Sequence, residues 1–522
     1  MLRIKKVMAI LTLVLVVSMS LYVSRSQLWR TRPRTTIGDG STLLVALPQI
    51  HETMNHRSSH LPEYSRVFSN LLNHSTAQKT QLHGVQWSPT SERTVAAGTG
   101  DTNTVFGMPS SSKRQTATLH NNPGCKIPQG GYKAWDHGVV TVLHPIISRN
   151  CTKLFAGDQE EAERIKRESE SWENALSDIE FLQRTENCSW LREELKGNLY
   201  NTALERDIPM AYIFVVNGRP QSAFRNLKLL YRPQNTFCIN FDSKSTPAFK
   251  KIFRNIDRCF DNILIGSKQE NVVWGYYTIM ESQLNCHYDL LKYREHQPPS
   301  SQWKYVINLC GKELPLMSPH EMVSRLSVLN GSASILPRKM TSRNVYDWER
   351  IQNKTKLRRG YRRPTQTSEE LGPIPFNLTY YKSSSYSVLS PKFVHFLFTD
   401  PVAMEVHNFF TKSLHSEEHF YATLFMMPGA PGGFDPRLGD LYVRAAHSTW
   451  MLKENHEPCQ GIVVHSICII TAGDLPMVMK TSENRTLFHN KYFMNRDHTA
   501  MDCLEEMIVE RNKLEYQRDC LS

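Results

Sequence analysis

Between residues 211 and 309 the chain alternates short apolar runs with amphipathic stretches. Four runs have strand length and strand composition: AYIFVV (211–216), TFCINF (236–241), NILI (262–265) and YVINL (305–309). Between them, Ser222–Tyr231 and Phe249–Phe260 set apolar residues at helical spacing. Upstream, Asp158–Leu182 is charged, with apolar residues again at helical intervals. Strands alternating with helices predict an α/β fold with a mainly parallel sheet. Ligands of such sheets gather at the carboxyl ends of the strands. Asp242, one residue past the second run, is therefore a candidate nucleotide contact, or else an ordinary acid ending a strand.

The pattern breaks down before Cys151. Val7–Val23 carries no charge and follows Arg3, Lys5 and Lys6. As a helix it would span roughly 25 Å, near the lower limit for a bilayer core. It is expected to be an uncleaved signal anchor; the alternative is a cleaved signal peptide, for which no clear small-residue cleavage site follows. Residues 24–148 are rich in Ser, Thr, Asn, Gly and Pro, too polar to offset chain entropy by burial, so a largely disordered stem is expected. The predicted organisation is a cytoplasmic tail (1–6), an anchor (7–23), a stem (24–148) and a lumenal domain (149–522).

Composition sharpens this picture. The formal charge is +12, which suits nucleic acid, an anionic surface or an anionic small substrate. No zinc-finger spacing, aromatic RNA-binding motif or polybasic block is present, so nucleic acid is excluded as a partner and a nucleotide-sugar diphosphate fits best. Seven N-x-S/T sequons begin at Asn73, Asn150, Asn187, Asn330, Asn353, Asn377 and Asn484. The eleven cysteines show no paired C-x-x-C cluster and read as disulfides of an oxidising compartment. Their odd number leaves at least one thiol free or intermolecular.

Several segments then stand in a telling order: RPQSAFRNLKLLYRPQNTFCINFD (219–242), CFDN (259–262), VVWG (272–275), LNC (284–286), WKYVINLCG (303–311) and AGDL (472–475). Together they resemble the core-2 and I-branching β-1,6-N-acetylglucosaminyltransferases, over about Cys151 to Glu506. The resemblance implies a GT-A-like nucleotide-sugar transferase domain and an inverting transfer of N-acetylglucosamine from UDP-GlcNAc to an O-glycan. It also implies a Golgi membrane protein of single-pass type II topology that needs no metal or other cofactor. No Asp-x-Asp triplet, which holds a cation in many GT-A enzymes, occurs in the chain. Two other readings remain open: a related transferase with another donor such as UDP-xylose, or a catalytically weak Golgi protein that binds sugars or partners.

The resemblance implies disulfides Cys151–Cys503, Cys188–Cys259, Cys238–Cys286 and Cys459–Cys468, with Cys310 unpaired; Cys125 and Cys520 receive no partner. It aligns Glu418, in HSEEHFYAT (415–423), with the family's catalytic glutamate, the base that removes the acceptor proton. Ser416 is expected to cap a helix and put Glu418 in its first turn, where the dipole favours a carboxylate. The same segment, His415 to His419, also fits H-x-x-E-H, an inverted zinc-protease pattern. Lys491 aligns with the lysine that holds the UDP diphosphate. His465 stands where the family has its diphosphate-binding arginine, and imidazole lacks the bidentate fork and the permanent charge. Arg485 or Arg496 are candidate substitutes. On the acceptor side Leu336, Asn344 and Asp347 replace the family's charged groups, and Trp450 is either a sugar-stacking ring or a core residue.

Overall fold

The computed structural model describes residues 149–169, 178–196, 200–340, 346–348, 366–370, 372–451, 459–494 and 496–521. All lie in one unit, Lys113–Ser522; the other unit, Met1–Ser112, is outside the described residues, as are the anchor segment, the stem, Asn73, Asn353 and Cys125. Among the described residues no helix is long and apolar enough to cross a membrane.

The first strand, β1 (Met210–Val216), leads into helix α1 (Pro220–Leu230). Then follow β2 (Thr236–Phe241), α2 (Pro247–Cys259), β3 (Ile263–Ile265), α3 (Thr278–Glu295), β4 (Tyr305–Leu309) and β5 (Glu313–Pro315). The four apolar runs are thus strands, and the helices between them begin earlier than the apolar period suggests. Pro220 and Pro247 sit in the first turns, and Thr246 Oγ1 accepts from Phe249 N (3.2 Å). Proline is pre-set for the first helical position, where its missing N–H costs nothing. Within the amphipathic stretch 158–182, helices span Gln159–Ser169 and Asp178–Thr185, and residues 170–177 lie outside the described set.

The remaining labelled elements are β6 (Arg338–Lys339), β7 (Tyr381–Lys382), β8 (Val388–Leu389), α4 (Pro391–Thr399), α5 (Pro401–Phe410), α6 (Ser416–Phe425), β9 (Arg444–Ser448), the hairpin β10 (Val463–Val464) and β11 (Ile467–Cys468), α7 (Leu475–Glu483), β12 (Thr486–Asn490) and α8 (Thr499–Leu521). Strand order in the main sheet is β8-β4-β1-β2-β3; β4, β1, β2 and β3 run parallel and β8 is antiparallel at one edge. From β1 the chain winds outward to β2 and β3, then returns to put β4 on β1's other side. The sheet therefore has a switch point between β1 and β4, where open α/β sheets hold ligands. A second sheet, β9-β12-β5, pairs β5 antiparallel to β12 with Glu313 opposite Asn490.

The main core joins β1, β2 and β4 to α1 and α2 through Tyr212, Phe214, Phe224, Phe237, Ile252 and Phe253, all under 4% exposed. Such continuous burial explains why these strands read as unbroken apolar runs. A second cluster packs Leu314, Leu316, Leu475, Val478, Leu504 and Ile508 around α8. Arg225 of α1 is buried against Glu505 and Asp502 of α8. Losing one partner of such a buried pair costs about 3–5 kcal/mol, because the other charge is stranded. Disulfides join Cys151–Cys503, Cys188–Cys259, Cys238–Cys286 and Cys459–Cys468, the pairs the resemblance implies. Cys310 is a free thiol, and Cys520, left unassigned from sequence, is disulfide-bonded. The described sequon residues Asn150, Asn187, Asn330, Asn377 and Asn484 are all exposed.

Candidate functional site

Four loops leave the carboxyl edge of the main sheet, after β1, β2, β3 and β4. After β2, the Asp242 carboxylate accepts from Lys244 N (2.9 Å) and pairs with Lys244 Nζ (2.7 Å). The same ammonium donates to Asn271 Oδ1 (2.7 Å) and Val272 O (2.6 Å), tying the end of β2 to the segment after β3. That segment reaches helix α6: Gly275 O accepts from His415 N (2.9 Å), and the Trp274 ring meets the His415 ring edge-on at 4.7 Å.

Glu418 occupies the first turn of α6, as expected, but Ser416 is not its cap. His415 is the N-cap, in the left-handed region (φ 52, ψ 49), and makes no side-chain cap bond. Ser416 is the first helical residue, and its hydroxyl donates backwards to Phe410 O (2.7 Å) and Ser413 O (3.0 Å). A serine whose oxygen is turned to upstream carbonyls cannot serve the helix N–H groups. Glu418 remains reachable: its side chain is 21% exposed and pairs with Lys382 Nζ of β7 at 2.9 Å. Its backbone carbonyl accepts from Ser383 N (2.7 Å).

The zinc-protease pattern does not assemble. His415 precedes the helix in a left-handed conformation, so the spacing of four to His419 does not put the two rings on one face. His419 Nδ1 lies 3.3 Å from Tyr381 O, with its ring against Tyr380 and Phe410. Burial, and then Lys382, push its pKa down to about 3. Ligand atoms of His415, Glu417 and Glu418 lie within 4.8 Å of one another, and His419 is outside that group. Burial opposes protonation of His415, but the Glu417 and Glu418 carboxylates outweigh it and raise its pKa.

From Lys382 the chain runs to Tyr386, whose hydroxyl lies 3.3 Å from Cys310 Sγ, just past β4. Burial, then the Glu313 carboxylate, push the Cys310 thiol up to about 12, so it is not a ready nucleophile. Glu313 organises this loop. Its carboxylate accepts from the backbone N–H groups of Cys310, Gly311 (3.2 Å) and Lys312 (2.9 Å). Gly311 has φ 75, and a Cβ there would meet Ala223 Cβ at 2.9 Å, so only glycine fits. Asn490, at the end of β12, directs Nδ2 at Cys310 Sγ (3.8 Å), and Lys491 follows it. Burial, then the charge of Lys312, lower the Lys491 pKa.

A continuous series of contacts therefore links Asp242, Glu418, Cys310 and Lys491 around one edge of the sheet. His465 is joined less closely. It sits exposed at the tip of the β10–β11 hairpin, where His465 and Ser466 both have positive φ (51 and 63), as a two-residue turn of this hand requires. Two residues past β11, the Ile470 N–H donates to Lys491 O (2.9 Å). Arg485 lies at the far end of β12 from Lys491 and donates to Leu441 O (2.8 Å). Arg496 is exposed beyond a turn closed on Phe493 O. Trp450 is 48% exposed and bridges to Ile467, so it is no core residue. Leu336 is 44% exposed, and the side chains of Asn344 and Asp347 lie outside the described residues. Sequence reasoning missed Lys312, Glu313 and Lys382.

A family model described as Core-2/I-Branching enzyme matches residues 210–479, the span holding the main sheet, α6 and the hairpin. The chain is 31% identical over 377 residues to beta-1,3-galactosyl-O-glycosyl-glycoprotein beta-1,6-N-acetylglucosaminyltransferase 4 of Danio rerio, covering 70% of this chain and 85% of that one. It is 30% identical over 380 residues to the human enzyme numbered 3 with the same descriptive name, covering 69% and 83%. Against N-acetyllactosaminide beta-1,6-N-acetylglucosaminyl-transferase of Mus musculus it is 32% identical over 311 residues, covering 59% and 74%. With its parallel sheet, its switch-point loops and this extent of match, the chain belongs to the Core-2/I-Branching enzyme family of glycosyltransferases.

Proposed function

We propose that this protein transfers N-acetylglucosamine from UDP-GlcNAc to an O-glycan hydroxyl in β-1,6 linkage, with inversion and without a metal. The observation that carries this reading is the series of contacts from Asp242 through Glu418 to Lys491 along the carboxyl edge of the sheet. The names of its relatives support the transferred sugar and the linkage. In the proposed step Glu418 takes the proton of the acceptor hydroxyl as that oxygen attacks the sugar C1. The bond from C1 to the diphosphate breaks, its electron pair leaves with UDP, and Lys491 meets the charge. Asp242 contacts the nucleotide. Trp450, exposed near the hairpin, offers a face for a sugar.

The test is incubation of the purified full-length chain with UDP-GlcNAc and a β-1,3-galactosyl O-glycan in EDTA. A β-1,6-linked product, identified by NMR, is the predicted outcome. No transfer, activity only on addition of a divalent metal, or a product with another linkage would refute the reading. The proposed setting is the Golgi lumen, with residues 7–23 retained as a type II anchor. N-terminal sequencing of the cell-expressed chain should find that segment intact; a chain beginning after Ser24 would overturn it.

A further inference from the structure

The family's arginine partner for the diphosphate is His465 here, and the structure removes Arg485 as its substitute. Arg485 precedes β12 and Lys491 follows it, so about six residues of extended chain, roughly 20 Å, separate them. A different residue lies beside Lys491. The antiparallel pairing of β5 with β12 sets Glu313 opposite Asn490, and Tyr492 N donates to Lys312 O (2.8 Å), bringing Lys312 alongside Lys491.

The surroundings of Lys312 are those of an anion site. Its Nζ donates to Asn217 Oδ1 (2.6 Å), and Asn217 is the exposed residue that follows β1. The ammonium thus bridges the carboxyl ends of β4 and β1, the two strands that flank the switch point. Its neighbour Glu313 forms no ion pair with it: that carboxylate accepts from three backbone N–H groups and from the Cys310 thiol. Among the described residues neither Lys312 nor Lys491 forms an ion pair with an acid. Two cations held side by side with no ion-pair partner repel each other. Burial first, and then the charge of Lys312, lower the Lys491 pKa, and the second of these causes is that repulsion. An anion between them removes it.

We infer that Lys312, acting with Lys491, supplies the second cationic contact to the diphosphate of the donor, in place of the arginine lost at His465. The inference rests on the transferase reading above and names the residue that completes its leaving-group site. As a point charge with three donors, an ammonium neutralises a phosphate oxygen without the planar fork of guanidinium.

The test compares UDP and uridine binding by calorimetry for the full-length wild type, Lys312→Gln and Lys312→Arg, with the unfolding temperature of each. Losing one charge-assisted contact should weaken UDP binding about ten- to a hundredfold in Lys312→Gln. Uridine affinity and unfolding temperature should stay those of the wild type, and Lys312→Arg should recover most of the UDP affinity. UDP binding unchanged in Lys312→Gln, or uridine affinity falling by the same factor as UDP, would overturn this inference while leaving the transferase reading intact. A wild type that binds neither UDP nor UDP-GlcNAc would overturn both.

Discussion

Replacing Glu313 with glutamine tests how the site loop is held. The buried carboxylate (1% exposed) receives backbone N–H groups on both oxygens: Cys310 and Gly311 on Oε1, and Lys312 on Oε2. A glutamine keeps one acceptor oxygen and puts an NH2 where the other was. If the oxygen stays with Cys310 and Gly311, the NH2 confronts the Lys312 N–H, donor against donor. The change sets a donor against a donor in place of a hydrogen bond to a charged group, a loss of about 1.5–3 kcal/mol. That loss is predicted in unfolding free energy, read as a lower urea midpoint at unchanged m-value. UDP affinity should fall as well, because the 310–312 loop carries Lys312. A variant within about 0.5 kcal/mol of wild type, the usual effect of a neutral surface substitution, would refute the reasoning.

Two other outcomes follow from buried groups. Burial drives the His287 pKa down to about 3, so below pH 6.5 the unfolded chain takes up a proton that the folded chain refuses. The stabilisation from keeping it neutral is full above 6.5 and is lost as pH falls towards 3. Against wild type, His287→Leu should therefore lose about 1.2 kcal/mol less stability between pH 6 and pH 5, measured by urea unfolding at both pH values; parallel pH dependences would contradict this. Arg225→Met should destabilise by about 3–5 kcal/mol by stranding Glu505, and an unchanged urea midpoint would show that the pair contributes nothing.

Strands β1, β2 and β4 were legible because each is buried on both faces and reads as a continuous apolar run; the two-residue edge strand β8 is too short to show one. Helix starts were less so: Pro220 and Thr246 set them through local capping, upstream of the first apolar repeat. Glu418 could be located through HSEEHFYAT, but the left-handed His415 and the reversed Ser416 hydroxyl depend on contacts with Gly275, Phe410 and Ser413. The same contacts dismantle the H-x-x-E-H pattern, which spacing alone admits. Lys312 and Glu313 were not legible as functional. The strand that Glu313 begins, just after Lys312, is only three residues long, includes a proline and starts with a buried charge, so it carries no strand period. Its pairing with β12 joins residues far apart in sequence, and no local pattern announces that. A buried acid directly after a Cys-Gly-Lys turn is the one signal that was present.

The central claim is that Glu418 is the base of a transfer to a sugar hydroxyl, and the turnover of Glu418→Gln tests it most directly. Glutamine keeps the shape and the first-turn position but cannot take a proton. With saturating UDP-GlcNAc and acceptor, kcat should fall by about two to four orders of magnitude, while UDP affinity measured by calorimetry stays that of the wild type. Turnover within a few-fold of wild type would contradict the account, since a chain that transfers sugar without this carboxylate has its base elsewhere.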